Sequence, residues 1–123
     1  MKSLLLVVLM LVSFHSTLVL AACRVMKDTE LNDTSSNDLV KTYCRYKAVA
    51  DLEMQHLNRL RDLSATAPQR VPQESVDRSI SEHTKSAKEC LDIQDKIRSI
   101  LRKRSESEQI SCNEDGTVKE GSP

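Results

Sequence analysis

The chain has 123 residues, with Lys and Arg matching Asp and Glu at eighteen each and only three aromatics, Phe14, Tyr43 and Tyr46. A formal net charge of zero excludes the strong basic excess of a nucleic-acid binder. A chain this short and this poor in aromatics builds no deep core unaided, and its four cysteines supply the remedy as two disulfides.

Residues 1–21 carry one charge, Lys2, then the apolar run LLLVVLMLV and the weaker stretch SFHSTLVLA. A short basic start, an apolar middle and a small-residue exit read as a secretory signal peptide. The uninterrupted apolar run is too short to span a bilayer, so no membrane anchor is expected and the chain is expected outside the cell. Its exit, LVLAAC, reads in two ways. Leu20-Ala21-Ala22-Cys23 matches a bacterial lipoprotein cleavage box, whereas Val19-Leu20-Ala21 suits ordinary signal peptidase cutting before Ala22. Lipidation of Cys23 would strand one of the other three cysteines, so the even count favours the disulfide reading. Losing residues 1–21 removes Lys2 and no acid, which leaves 17 bases against 18 acids over 102 residues.

Residues 22–37 are polar and lack clear periodicity, although Val25, Met26 and Leu31 allow a short helix within 24–35. Asn32-Asp33-Thr34 is a glycosylation acceptor pattern, which makes Asn32 a candidate site. Residues 38–63 read as a helix: Leu39, Tyr43, Tyr46, Ala50, Met54, Leu57 and Leu60 follow at steps of three or four. Ser36 or Asn37 can cap it, with Asp38 in the first turn. A linker at 64–72 carries Pro68 and Pro72, which break the helix.

A second helix is expected from Gln73 to Arg104. Val76, Ile80, His83, Ala87, Cys90, Gln94, Ile97 and Leu101 alternate at four and three residues, a heptad seam that Leu91, Ile93 and Ile100 broaden. The tail, 105–123, is polar, with a turn at Asp115-Gly116 and, besides Ile110 and Cys112, nothing that needs burial. The resulting fold class is all-α, a disulfide-stapled antiparallel hairpin (38–104) or small helical bundle.

In such a hairpin facing residues share a midpoint. That of Cys44 and Cys90 is residue 67, and that of Cys23 and Cys112 falls beside it, inside the linker. This register sets Met54 opposite Ile80, Leu57 beside Val76, and Leu39 and Val40 near Ile93 and Ile97. The expected bridges are therefore nested, Cys44–Cys90 across the helices and Cys23–Cys112 between the tails. The tandem pairing, Cys23–Cys44 with Cys90–Cys112, is the rival. Any seam left uncovered is an interaction surface, for self-association or for a partner helix.

No grouping of nucleophile, base and orienting residue supports catalysis, so a non-enzyme without cofactor is expected. His56 and His83 lie about one turn off the cysteine register and lack a third ligand at matching spacing, so no metal site is assigned. Arg102-Lys103-Arg104 resembles a prohormone processing site, with cleavage after Arg104. The preferred reading is a basic helix end that complements the dipole. Too few apolar residues remain to enclose a small ligand.

The LVLAAC exit, about a hundred mature residues, an aromatic-poor helical body and four spread cysteines (Cys23, Cys44, Cys90, Cys112) resemble the small secreted proteins of the insect male accessory gland. The resemblance implies a seminal-fluid role, transfer at mating with effects on sperm or post-mating physiology through an extracellular protein partner. A secreted hormone, cytokine-like or venom polypeptide acting on a receptor is the alternative.

Overall fold

A computed structural model describes residues 23–66 and 72–121. The expected signal peptide and most of the proline linker lie outside these residues. The protein is all-α, a long hairpin with a short third helix: α1 (Asp28–Asp33), α2 (Ser36–Thr66) and α3 (Gln73–Lys103). Pairing of Ser64 with Gln73 at one end, and of Ser36 with Arg104 at the other, sets α2 and α3 antiparallel.

Local chemistry explains the helix ends. Ser35, one residue before the expected cap, accepts from the Asp38 N–H at 3.2 Å and donates its hydroxyl to the Asp38 carboxylate at 2.8 Å. The first bond is an ordinary serine N-cap, and the second holds the Ser35 hydroxyl in place for it. At its other end α2 runs three residues past 63 into the expected linker, and Thr66 Oγ1 bonds the Asp62 carbonyl at 2.8 Å. Pro72 precedes α3, where its missing N–H costs nothing and its carbonyl accepts from Ser75 and Val76. The α3 C-terminus closes with Ser105 at φ 57°, Ser105 N–H on the Arg102 carbonyl and Glu106 N–H on that of Leu101. That pair of bonds is a Schellman motif with serine in glycine's place.

The α3 seam faces inward as its periodicity predicts. Val76, Ala87, Cys90, Gln94, Ile97 and Leu101 are buried, and Ile80 and His83 are half-buried. Buried Gln94 satisfies its amide on the Cys90 carbonyl at 3.2 Å. Ile93 and Ile100 are buried too, but Leu91 is exposed. The α2 stripe holds at Leu39, Tyr43, Tyr46, Ala50 and Leu57, and fails at Met54, which faces solvent instead of Ile80.

Met54 fails because the register differs from the one read off the cysteines. Tyr43 meets Arg98, Glu53 meets His83, and Ser64 meets Gln73. Their midpoints run from 68 to beyond 70, displacing α3 by roughly one helical turn.

The core gathers at the open end of the hairpin, around Leu31, Leu39, Tyr43, Cys44, Ile97 and Leu101. Leu31 in α1 is completely buried there, so the short helix allowed by the sequence does cover part of the seam. The C-terminal tail contributes Ile110, Cys112 and also Val118, a burial that its polar composition concealed. A tight reversal carries that tail: Cys112 pairs with Val118 as an isolated antiparallel bridge, closed by Asn113–Thr117 and Lys119–Ser111 bonds.

Candidate functional site

The cysteines form two bridges, Cys23–Cys90 and Cys44–Cys112, with Cα separations of 5.1 and 5.3 Å and no free thiol. This interleaved connectivity corrects both the nested pairing and its tandem rival. The nested pairing required tails that continue outward past the open end, and here each folds back along a helix. From Cys23 the N-terminal segment runs beside α3, through Asp28–Lys96 at 2.7 Å to carbonyls of Asn32 and Thr34 held by Arg104. The C-terminal tail runs beside α2, from a Glu106–Ser36 bond to Gly116, packed against Arg45 and Ala48. Cys44 and Cys90, about one turn out of register, take partners from the returning tails.

Halfway along the hairpin the two helices bring polar groups together. Glu53 and His56 stand one turn apart on α2, and His83 and Ser86 project from α3. His83 Nδ1 bonds Glu53 Oε2, while Ser86 Oγ donates to Glu53 Oε1 at 3.2 Å. The His56 and His83 rings meet edge to face, centroids 5.2 Å apart. The Glu53 side chain is only 15% exposed, so the cluster is wedged between the helices rather than spread on the surface. One ligand atom from each of Glu53, His56 and His83 lies within 4.8 Å of the others.

Two of these residues, His56 and His83, were visible in the sequence as a pair about one turn off the cysteine register, with no third ligand at matching spacing. The true register joins them, because the displacement that separates Cys44 from Cys90 brings His56 onto His83. Glu53 went unremarked since Met54 occupied the apolar stripe, yet its position three before His56 is the helical spacing that stacks side chains on one face.

No family model, curated protein or solved structure matches the chain.

The remaining sequence candidates have definite places. Asn32 is exposed in the last turn of α1, its Nδ2 on the Asp28 carbonyl at 2.7 Å. Lys103 is exposed, but Arg104 is half-buried. The Arg104 guanidinium donates to Thr34 O (2.9 Å), Ser36 Oγ (3.0 Å) and Asn32 O (2.7 Å), clamping the α1–α2 junction. Beside α2, an open groove mixes the apolar Ala48, Val49 and Leu52 with the charged Arg45, Asp51, Glu114 and Asp115. Among the described residues no helix is long and apolar enough to cross a membrane.

Proposed function

We propose that this is a secreted, non-enzymatic interaction protein that presents a rigid helical surface to an extracellular protein partner, in seminal fluid as the leading setting. The uneven distribution of staples carries this reading. Both tails and both disulfides brace the half of the hairpin built from residues 39–50 and 90–101. The other half holds Leu57 and Val76 between its helices and turns Met54 and Leu63 to solvent, 43% and 41% exposed. One braced end and one projecting two-helix end is a geometry for presentation, and exposed apolar side chains there suit a partner or a second copy. Two disulfides in a short chain accord with an oxidising compartment.

Cleavage after Arg104 would favour the processed-hormone form of the alternative, and Arg104 is engaged in three hydrogen bonds at a helix terminus. Its engagement favours the uncleaved chain.

Expression of the full chain in insect cells, followed by mass spectrometry of the medium, tests secretion. The expected product starts at Ala22, carries no lipid and continues past Arg104. Antibody to that product then tests the setting: staining of the male tract and detection in mated females supports the seminal-fluid role. Detection confined to venom gland or endocrine tissue would overturn it in favour of the receptor ligand.

A further inference from the structure

We propose that Glu53, His56 and His83 form a binding site for a divalent transition-metal ion of the zinc type. The donor set is two imidazoles and one carboxylate, the composition that borderline ions such as Zn²⁺ select over Mg²⁺ or Ca²⁺, which prefer oxygen alone. The ligands come from two helices that the His83–Glu53 and Ser86–Glu53 bonds already hold against each other. Much of the ordering needed to assemble a site is thus complete before an ion arrives.

Tetrahedral Zn²⁺, with bonds of about 2.0–2.2 Å, needs ligand atoms roughly 3.3–3.5 Å apart. The three ligand atoms here already lie within 4.8 Å of one another. Side-chain rotation suffices to close the gap, since none of the three residues is fully buried. The ion replaces the present bond between His83 Nδ1 and Glu53 Oε2, taking both atoms as ligands. Ser86 stays on Oε1 and fixes the carboxylate's orientation, as outer partners do in metal sites. Three protein ligands leave the fourth position to water or to a donor brought by a partner.

The competing account is that the cluster only pins the helices in register through hydrogen bonds. Zinc titration of the secreted, disulfide-intact full chain after chelator treatment separates the two. Calorimetry should show one Zn²⁺ per chain and none of comparable affinity for Mg²⁺, and the melting temperature should rise with Zn²⁺ concentration. Co²⁺ in place of Zn²⁺ should give the visible absorption of a tetrahedral centre. His56→Gln should weaken binding by at least about tenfold, yet lower the melting temperature in chelator only slightly, because it removes one ring contact and leaves the His83–Glu53 and Ser86–Glu53 bonds in place. His83→Gln should also weaken binding, and it keeps a side chain able to bond Glu53.

Absence of saturable binding at millimolar Zn²⁺ would overturn the site. Binding that survives both substitutions would do the same, since the ion would then sit on exposed carboxylates. Secretion and tissue setting are read independently, so failure here leaves the interaction-protein reading untouched.

Discussion

At the residue scale, Arg104 shows how one side chain can decide an architecture. Its guanidinium satisfies carbonyls of Asn32 and Thr34, and thereby ties the end of α1 to the end of α3. Arg104→Ala should lower stability by about 1–3 kcal/mol, the value of charge-assisted bonds to groups then left unpaired. Lys103→Ala, exposed next door, should stay within about 0.5 kcal/mol. Urea denaturation of the two variants checks the contrast. Gly116 is fixed by two independent constraints. Its φ of 85° lies in the left-handed region, and a Cβ there would meet Ala48 Cβ at 3.1 Å and Arg45 Cα at 3.2 Å. Gly116→Ala should cost about 1–2 kcal/mol in backbone strain alone and lift the tail from α2. Faster amide exchange over 111–119 would report the lifting.

Three surface carboxylates give the molecule an acid-sensitive margin. Hydrogen bonds from Ser35 and then Lys41 lower the Asp38 pKa below 3.8, and those from Thr117 lower Asp115 likewise. The bond from Arg102 lowers Glu108 below 4.5. A folded-state pKa below the unfolded one contributes stability that is complete above the unfolded value and fades as pH falls through the folded one. The melting temperature should therefore hold near neutrality and decline as pH drops below about 4.5. Glu108→Gln should make that decline slightly shallower in thermal scans across the acid range, and added salt should do so as well. All three groups lie at the surface, so the effect is small.

At the scale of elements, the long helices were legible because their signals are local and repeated. A heptad seam over eight positions, prolines in the linker and acids at the helix starts all point to the same elements. The α2 boundaries moved by two and three residues and those of α3 by at most one, as end effects do. Between elements the reading was weaker. An apolar stripe tells which face is buried but only loosely how two stripes slide against each other, and the cysteines that seemed to fix the slide bond elsewhere. That is why the sequence places Met54 inward, leaves Glu53 unremarked, and assigns no site to His56 and His83. The six-residue α1 is too short to be stable alone, and Leu31 is its only buried residue. Leu31→Ala should cost about 2–5 kcal/mol and release the helix. Loss of amide protection in 28–34, with α2 and α3 retained, would mark α1 as a separately docked unit.

At the scale of the molecule, the interleaved bridges convert a two-helix hairpin into a braced body. Each closes a loop spanning 67 or 68 positions. In the chain-entropy estimate one such bridge contributes about 4 kcal/mol, and the second less once the first has shortened its loop. Replacing either pair by alanine should cost about 2–4 kcal/mol, a large part of the stability of a small domain. The two losses should look different. Without Cys44–Cys112 the tail frees itself from α2, whereas loss of Cys23–Cys90 releases the N-terminal strand from α3. Non-reducing peptide mapping should recover Cys23 with Cys90 and Cys44 with Cys112. Recovery of Cys44 with Cys90 would contradict the fold-back of both tails.

Sequence by itself determined the helical class, the two long helices and the participation of all four cysteines in a small stapled chain. These follow from periodicity, proline placement and composition, which act over a few residues at a time. Tertiary structure alone decided which cysteines pair, the slide of one helix along the other, and the meeting of Glu53, His56 and His83. Each of these depends on where aperiodic tails and distant faces come to rest. Burial of Leu31, partial burial of Val118 and the clamp of Arg104 set those positions, and such contacts between remote residues leave no regular trace along the chain.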